Sequence, residues 1–172
     1  MRYLLTQVGL FAIAVWLAVG LAAQASATSW EDYHPDSTEC GFLSVINGYR
    51  GSQGLHALKL SATLGAAAEH HSIDMARNNV FSHTLSDGTD WNANIMNHRY
   101  VRESATAENI AAGRSSARGV FSLWVDSPGH KANMLDPNLY AIGIGRAYDA
   151  GSKYGWYWTT TFGARSSRVI AC

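Results

Sequence analysis

Cysteine is scarce in this chain, with two among 172 residues, and so is charge. No C-x-x-C occurs, so neither a zinc knuckle nor a thioredoxin-type redox site can be built. Asp, Glu, Lys and Arg make up 15% of the residues and cancel to a formal net charge of zero. That balance leaves no basic patch for nucleic acid and no acidic tail. No period of 20–50 residues recurs, which excludes a solenoid. H-E-x-x-H is absent, and with it the usual helical zinc-hydrolase signature. G-x-S-x-G is absent as well, so Ser127 sits in no nucleophile elbow.

What is present begins with an export pattern. Arg2 is followed by an apolar run over residues 8–23, and then by the small residues Ala25, Ser26 and Ala27. Charge, apolar run and small-residue site in that order form a secretory signal peptide over residues 1–27, with Thr28 as the first mature residue. The alternative is a membrane anchor. The run is somewhat short for a span of about 20 residues, so no membrane span is expected after cleavage. No cysteine lies beside the site, which argues against a lipoprotein. The remaining chain fits one domain, taken as a monomer that is extracellular or periplasmic. In an oxidising compartment the even cysteine count favours a Cys40–Cys172 bridge over two unrelated thiols. Closing so long a loop stabilises by about 4–5 kcal/mol in the chain-entropy model.

Residues 28–39 are polar, aromatic and irregular. A helix is expected from about Thr38, with Phe42, Val45, Ile46 and Tyr49 on one stripe and Gly51 and Gly54 ending it. Ser61 is a plausible N-cap for a second helix. Its apolar face carries Leu64, Ala68, His71 and Met75, and Asn78-Asn79 ends it. On that face, His71 reads as a buried histidine hydrogen-bonded to backbone rather than as a ligand. A short helix is expected over residues 91–97, capped by Thr89 or Asp90. An extended segment over residues 100–110 carries Glu108 near its end. A helix after Ser116 has Ala117, Val120, Phe121 and Trp124 on its stripe. Pro128 and Gly129 are read as stopping this helix, leaving His130 on a turn. Residues 139–148 and 154–162 alternate as two strands of a hairpin. Helices with a small antiparallel sheet give an α+β class.

His83, Glu108 and His130 are the residues that suggest chemistry. Imidazole nitrogen and carboxylate oxygen suit a divalent ion such as zinc, and two His with one carboxylate would leave a position open for water. Their spread over nearly fifty residues gives little support from spacing alone.

Three strings carry a resemblance: F-S-H at residues 81–83, A-E-N-I-A at 107–111 and W-V-D-S-P-G-H-K-A-N-M-L at 124–135. In that order they resemble the CAP superfamily of cysteine-rich secretory, antigen five and pathogenesis-related proteins, and within it the bacterial, SCP-like branch. The resemblance covers residues 40–163 and leaves 164–172 as a C-terminal tail. It implies a three-layer α-β-α sandwich with a central antiparallel sheet. It also implies a cleft lined by two His and two Glu, matched here by His83, Glu108 and His130. Ser127 stands where eukaryotic members have the second Glu, with Asp126 beside it, so the set is incomplete. Three functions follow as alternatives. The first is a secreted, non-catalytic binding module for a small ligand, lipid, metal ion or peptide. The second is a metal-assisted hydrolase or protease. The third is a purely structural His/Glu group.

Overall fold

A computed structural model describes residues 31–101 and 104–172. The expected signal peptide, residues 1–27, lies outside the described residues. Helix α1 (Ser37–Ser52) starts where Asp36 Oδ1 accepts from the Thr38 and Glu39 amides, while Glu39 Oε2 accepts from the Asp36 amide. This reciprocal capping satisfies orphan donors of the first turn. Phe42 and Ile46 are fully buried from α1. Strand β1 (Lys59–Leu60) leads into α2 (Ala62–Asn78), on which the predicted stripe of Leu64, Ala68, His71 and Met75 is entirely buried. Asn79 ends α2 in the left-handed region at φ 53°, which Asn tolerates better than most residues. Helix α3 (Trp91–Asn97) follows with Asp90, one of the two expected candidates, as its cap.

Strands β2 (Thr106–Ala112), β3 (Ala141–Tyr148) and β4 (Trp156–Gly163) complete a sheet of order β1-β3-β4-β2. The predicted β3–β4 hairpin is present, and β2 pairs antiparallel with the far side of β4. Among the described residues the one parallel pairing is the two-residue β1 against Ala141 and Ile142, inside a segment read from sequence as a plain connection.

The side chains of β3 and β4 alternate between two helical layers. On one face α2 lies so close that a Cβ at Gly143 would fall 2.0 Å from the Leu64 carbonyl carbon. Glycine is therefore required there by backbone approach. On the other face Ile142, Ile144, Trp158 and Phe162 form one core with Phe42 and Ile46 of α1 and with Val120 and Trp124 of α4 (Ala117–Val125). The fold is α+β, in three layers. Both buried indoles are satisfied: Trp124 Nε1 donates to the Ile110 carbonyl at 3.2 Å and Trp158 Nε1 to that of Arg114 at 2.7 Å.

Two placements differ from expectation. Pro128 does not stop a helix; α4 has already ended at Asp126, and Pro128 opens a further helix, α5 (Pro128–Leu135), with Ser127 as N-cap. Proline suits a first helical position because the missing N–H has no intrahelical partner there. His130 is thus on the first turn of α5, not on a loop. Glu108 lies inside β2 rather than near a strand end, because pairing with β4 begins at Thr106 and continues to Ala112.

Both ends of the described chain are fastened to the body. The Tyr33 hydroxyl donates to the Ile144 carbonyl at 2.6 Å, and the Ile170 amide to that of Leu60 at 3.1 Å. Cys40 and Cys172 form a disulfide with Cα atoms 5.5 Å apart. Buried Arg50 donates to the carbonyls of Met134 and Asp136 at 2.8 and 3.0 Å, fixing the end of α5 to α1. Among the described residues no helix is long and apolar enough to cross a membrane.

Candidate functional site

The site forms along β2, an edge strand, where α2, the 81–84 segment and α5 meet it. Glu108 projects from β2 with its side chain 1% exposed and is held by two histidines. His71 Nδ1 lies 2.7 Å from Oε2, and His83 Nδ1 lies 2.7 Å from Oε1. His71 Nε2 lies 2.9 Å from the Ser82 carbonyl oxygen. His71 thus bonds to backbone, as its place on the stripe suggested, and also reaches a carboxylate 37 residues away.

The bonds set a minimum number of protons in this group. A carbonyl only accepts, so His71 Nε2 carries a hydrogen. Each Nδ1–carboxylate contact needs one more. The bonds thus require at least three protons among the two imidazoles and the carboxyl. The Nε2 of His83 takes no part in these bonds. The His83 side chain is 50% exposed and forms the open side of the group. The hydrogen bond to Glu108 is the main cause that raises the His83 pKa above its ordinary value, against a smaller opposing effect of burial.

His130 lies outside these bonds. Its ring stands 5.9 Å from that of Trp124, and its Nδ1 is buried without a hydrogen-bond partner. Burial lowers its pKa, and the charge of His83 lowers it further, so the two rings are within electrostatic reach. His130 borders a depression of ≈ 340 Å³ whose wall includes Phe81, Ile110, Leu123, Trp124, Ser127 and Tyr154. A second, more polar depression of ≈ 370 Å³ lies toward the start of β2, against His83, Trp91, Glu108 and Asn133. Ser127 therefore belongs to the apolar depression. Asp126 is exposed at the end of α4.

Two asparagines not singled out in the sequence position α5 against β2. Asn109 Nδ2 donates to the His130 carbonyl at 3.0 Å. Asn133 Nδ2 donates to the Glu108 carbonyl at 3.1 Å and to Asn109 Oδ1 at 2.8 Å. Both sit inside the A-E-N-I-A and H-K-A-N-M strings, which was the available signal.

Among the described residues His83, Glu108 and His130, read from the sequence as suited to a divalent ion such as zinc, do not converge as an ion-holding group. Both Glu108 oxygens are taken by histidine nitrogens. Among the described residues no three His, Cys, Asp or Glu side chains converge to hold an ion. Ser82 Oγ accepts from the Thr84 amide, and Ser127 makes no side-chain cap bond.

The model of the cysteine-rich secretory protein family, CAP, matches residues 43–162. The Bacillus subtilis protein YkwD is 32% identical over 121 residues, which are 70% of this chain but 44% of that protein. The chain thus spans less than half the length of this curated relative. An extracellular protein of Bacillus anthracis containing an SCP domain superposes with a TM-score of 0.67 at 25% identity, over 74% of this chain and 40% of that one. An outer surface protein of Borrelia burgdorferi gives a TM-score of 0.66 at 26% identity, over 78% of this chain and 98% of that one.

Proposed function

Because the chain belongs to the CAP family, with its model matched over residues 43–162, we propose that it is an exported, non-catalytic binding domain whose ligand enters the apolar depression beside His130. The observation that carries this reading is the depression itself. At ≈ 340 Å³ it falls within the usual range for small-ligand pockets. Its wall offers aromatic and aliphatic surface, and His130, which borders it, has a buried Nδ1 without a hydrogen-bond partner. An apolar ligand or peptide side chain matches that wall, since it would cover the apolar surface. Export is supported by the Cys40–Cys172 bridge and by relatives described as extracellular or outer-surface proteins.

The His71–Glu108–His83 group serves, in this reading, as a clamp joining α2, the 81–84 segment and β2. The histidine contact on each carboxylate oxygen favours that role over metal-assisted hydrolysis.

A screen of small aromatic fragments by protein-observed NMR tests the pocket. Binding fragments should shift the signals of Trp124, His130 and Tyr154, and Leu123→Glu should weaken them at least about tenfold. Shifts confined to the Glu108 side, or unchanged by Leu123→Glu, would overturn the reading.

A further inference from the structure

Away from that site, a second pair of histidines shares one residue as its anchor. Asn94, on α3, is 1% exposed, and its Nδ2 donates to the Ala67 carbonyl at 2.9 Å. That bond fixes the amide so that Oδ1 faces His70, whose Nδ1 lies 2.9 Å away. The main-chain oxygen of the same Asn94 lies 2.8 Å from His98 Nδ1. Both oxygens can only accept, so both Nδ1 atoms carry the hydrogen. Each neutral ring therefore presents its lone pair at Nε2. The two rings are 5.2 Å apart between centroids and tilted by 46°. His98 is 7% exposed, and its Nε2 is buried with no hydrogen-bond partner.

An unpartnered buried nitrogen costs free energy unless something occupies it. Nδ1–H bonds to carbonyl oxygens are the usual outer support of metal-binding imidazoles, since they fix the tautomer and the ring orientation. We propose that His70 and His98 form a two-histidine site, through their Nε2 atoms, for a borderline divalent cation of the copper, nickel or zinc class.

Burial, with a further contribution from His70, lowers the His98 pKa, so the ring is neutral as a ligand must be. Asp87, on the turn before α3, is within electrostatic reach of His70 and adds negative charge near the rim. Among the described residues no third His, Cys, Asp or Glu converges with the pair. Water fills the remaining positions, and copper binds tightest by the general order of divalent affinities.

The test is substoichiometric Cu²⁺ added to the folded protein, with the histidine ring signals followed by NMR. Paramagnetic broadening should strike His70 and His98 first, ahead of the more exposed His34, His56 and His83. His70→Ala and His70→Gln, each confirmed folded by an unchanged melting curve, should both remove the broadening at His98. Broadening spread evenly over the exposed histidines, or persisting at His98 in both variants, overturns the proposal. Because the readout is separate for each histidine, the result does not depend on the His130 depression.

Discussion

His83 and His130 carry similar signals in the sequence, each within a short motif at the boundary of a segment, yet the fold places them in opposite environments. His83 rests on a buried carboxylate and keeps its outer nitrogen open. His130 is pressed against Trp124 with an inner nitrogen that has no partner. The pKa shifts follow: the Glu108 bond raises His83, and desolvation lowers His130. The lesson is that β2 separates two kinds of site along one edge. Toward Thr106 it meets a polar group that is already satisfied. Toward Ala112 it meets an apolar depression bordered by His130.

Removing the carboxylate should break this contrast most strongly. Glu108→Ala leaves His71 buried and facing empty space, and loss of one partner from a buried pair costs about 3–5 kcal/mol. Urea denaturation measures it. A loss below about 1 kcal/mol would mean that the two 2.7 Å contacts do not join the layers. His130→Phe should do far less. It deletes a nitrogen that has no partner, keeps aromatic contact with Trp124, and should change stability by no more than about 1 kcal/mol in either direction. A large loss there would show that His130 has a partner in solution.

The smallest effects are in the pH dependence, and they have opposite signs. A raised folded pKa means that His83 contributes stability below its unfolded value of about 6.5, and that this is lost as pH rises through the folded value. A lowered folded pKa means that His130 costs stability as pH falls below the same unfolded value. The penalty of His83→Ala should therefore be larger at pH 5.5 than at pH 8.5. His130→Phe should gain on the wild type over the same fall in pH. Both rings are partly exposed, so each difference should stay below about 1 kcal/mol.

Much of the frame was legible because it repeats locally. Leu64, Ala68, His71 and Met75 mark one helical face by spacing alone, and the alternation through Trp156, Trp158 and Phe162 marks a strand. The three-layer arrangement came from the resemblance of three motifs. The misses share a physical cause. Strand β1 is two residues long and exists only through pairing with β3, so it leaves no period to read. Pro128 is compatible with either a helix end or a helix start, and tertiary contacts from Arg50 and Asn109 decide for a start. The His71–Glu108 bond joins residues 37 apart, and no local pattern encodes it. Spacing could show that His71 was buried, but not which buried acceptor it would meet.

The most direct measurement is an NMR titration of the His83 and His130 ring protons in the folded protein. His83 should titrate above the ordinary histidine value and His130 below it, and Glu108→Gln should lower His83 while moving His130 little. Equal midpoints for the two rings, or a His130 midpoint above that of His83, would contradict the separation of a satisfied polar group from an apolar depression along β2.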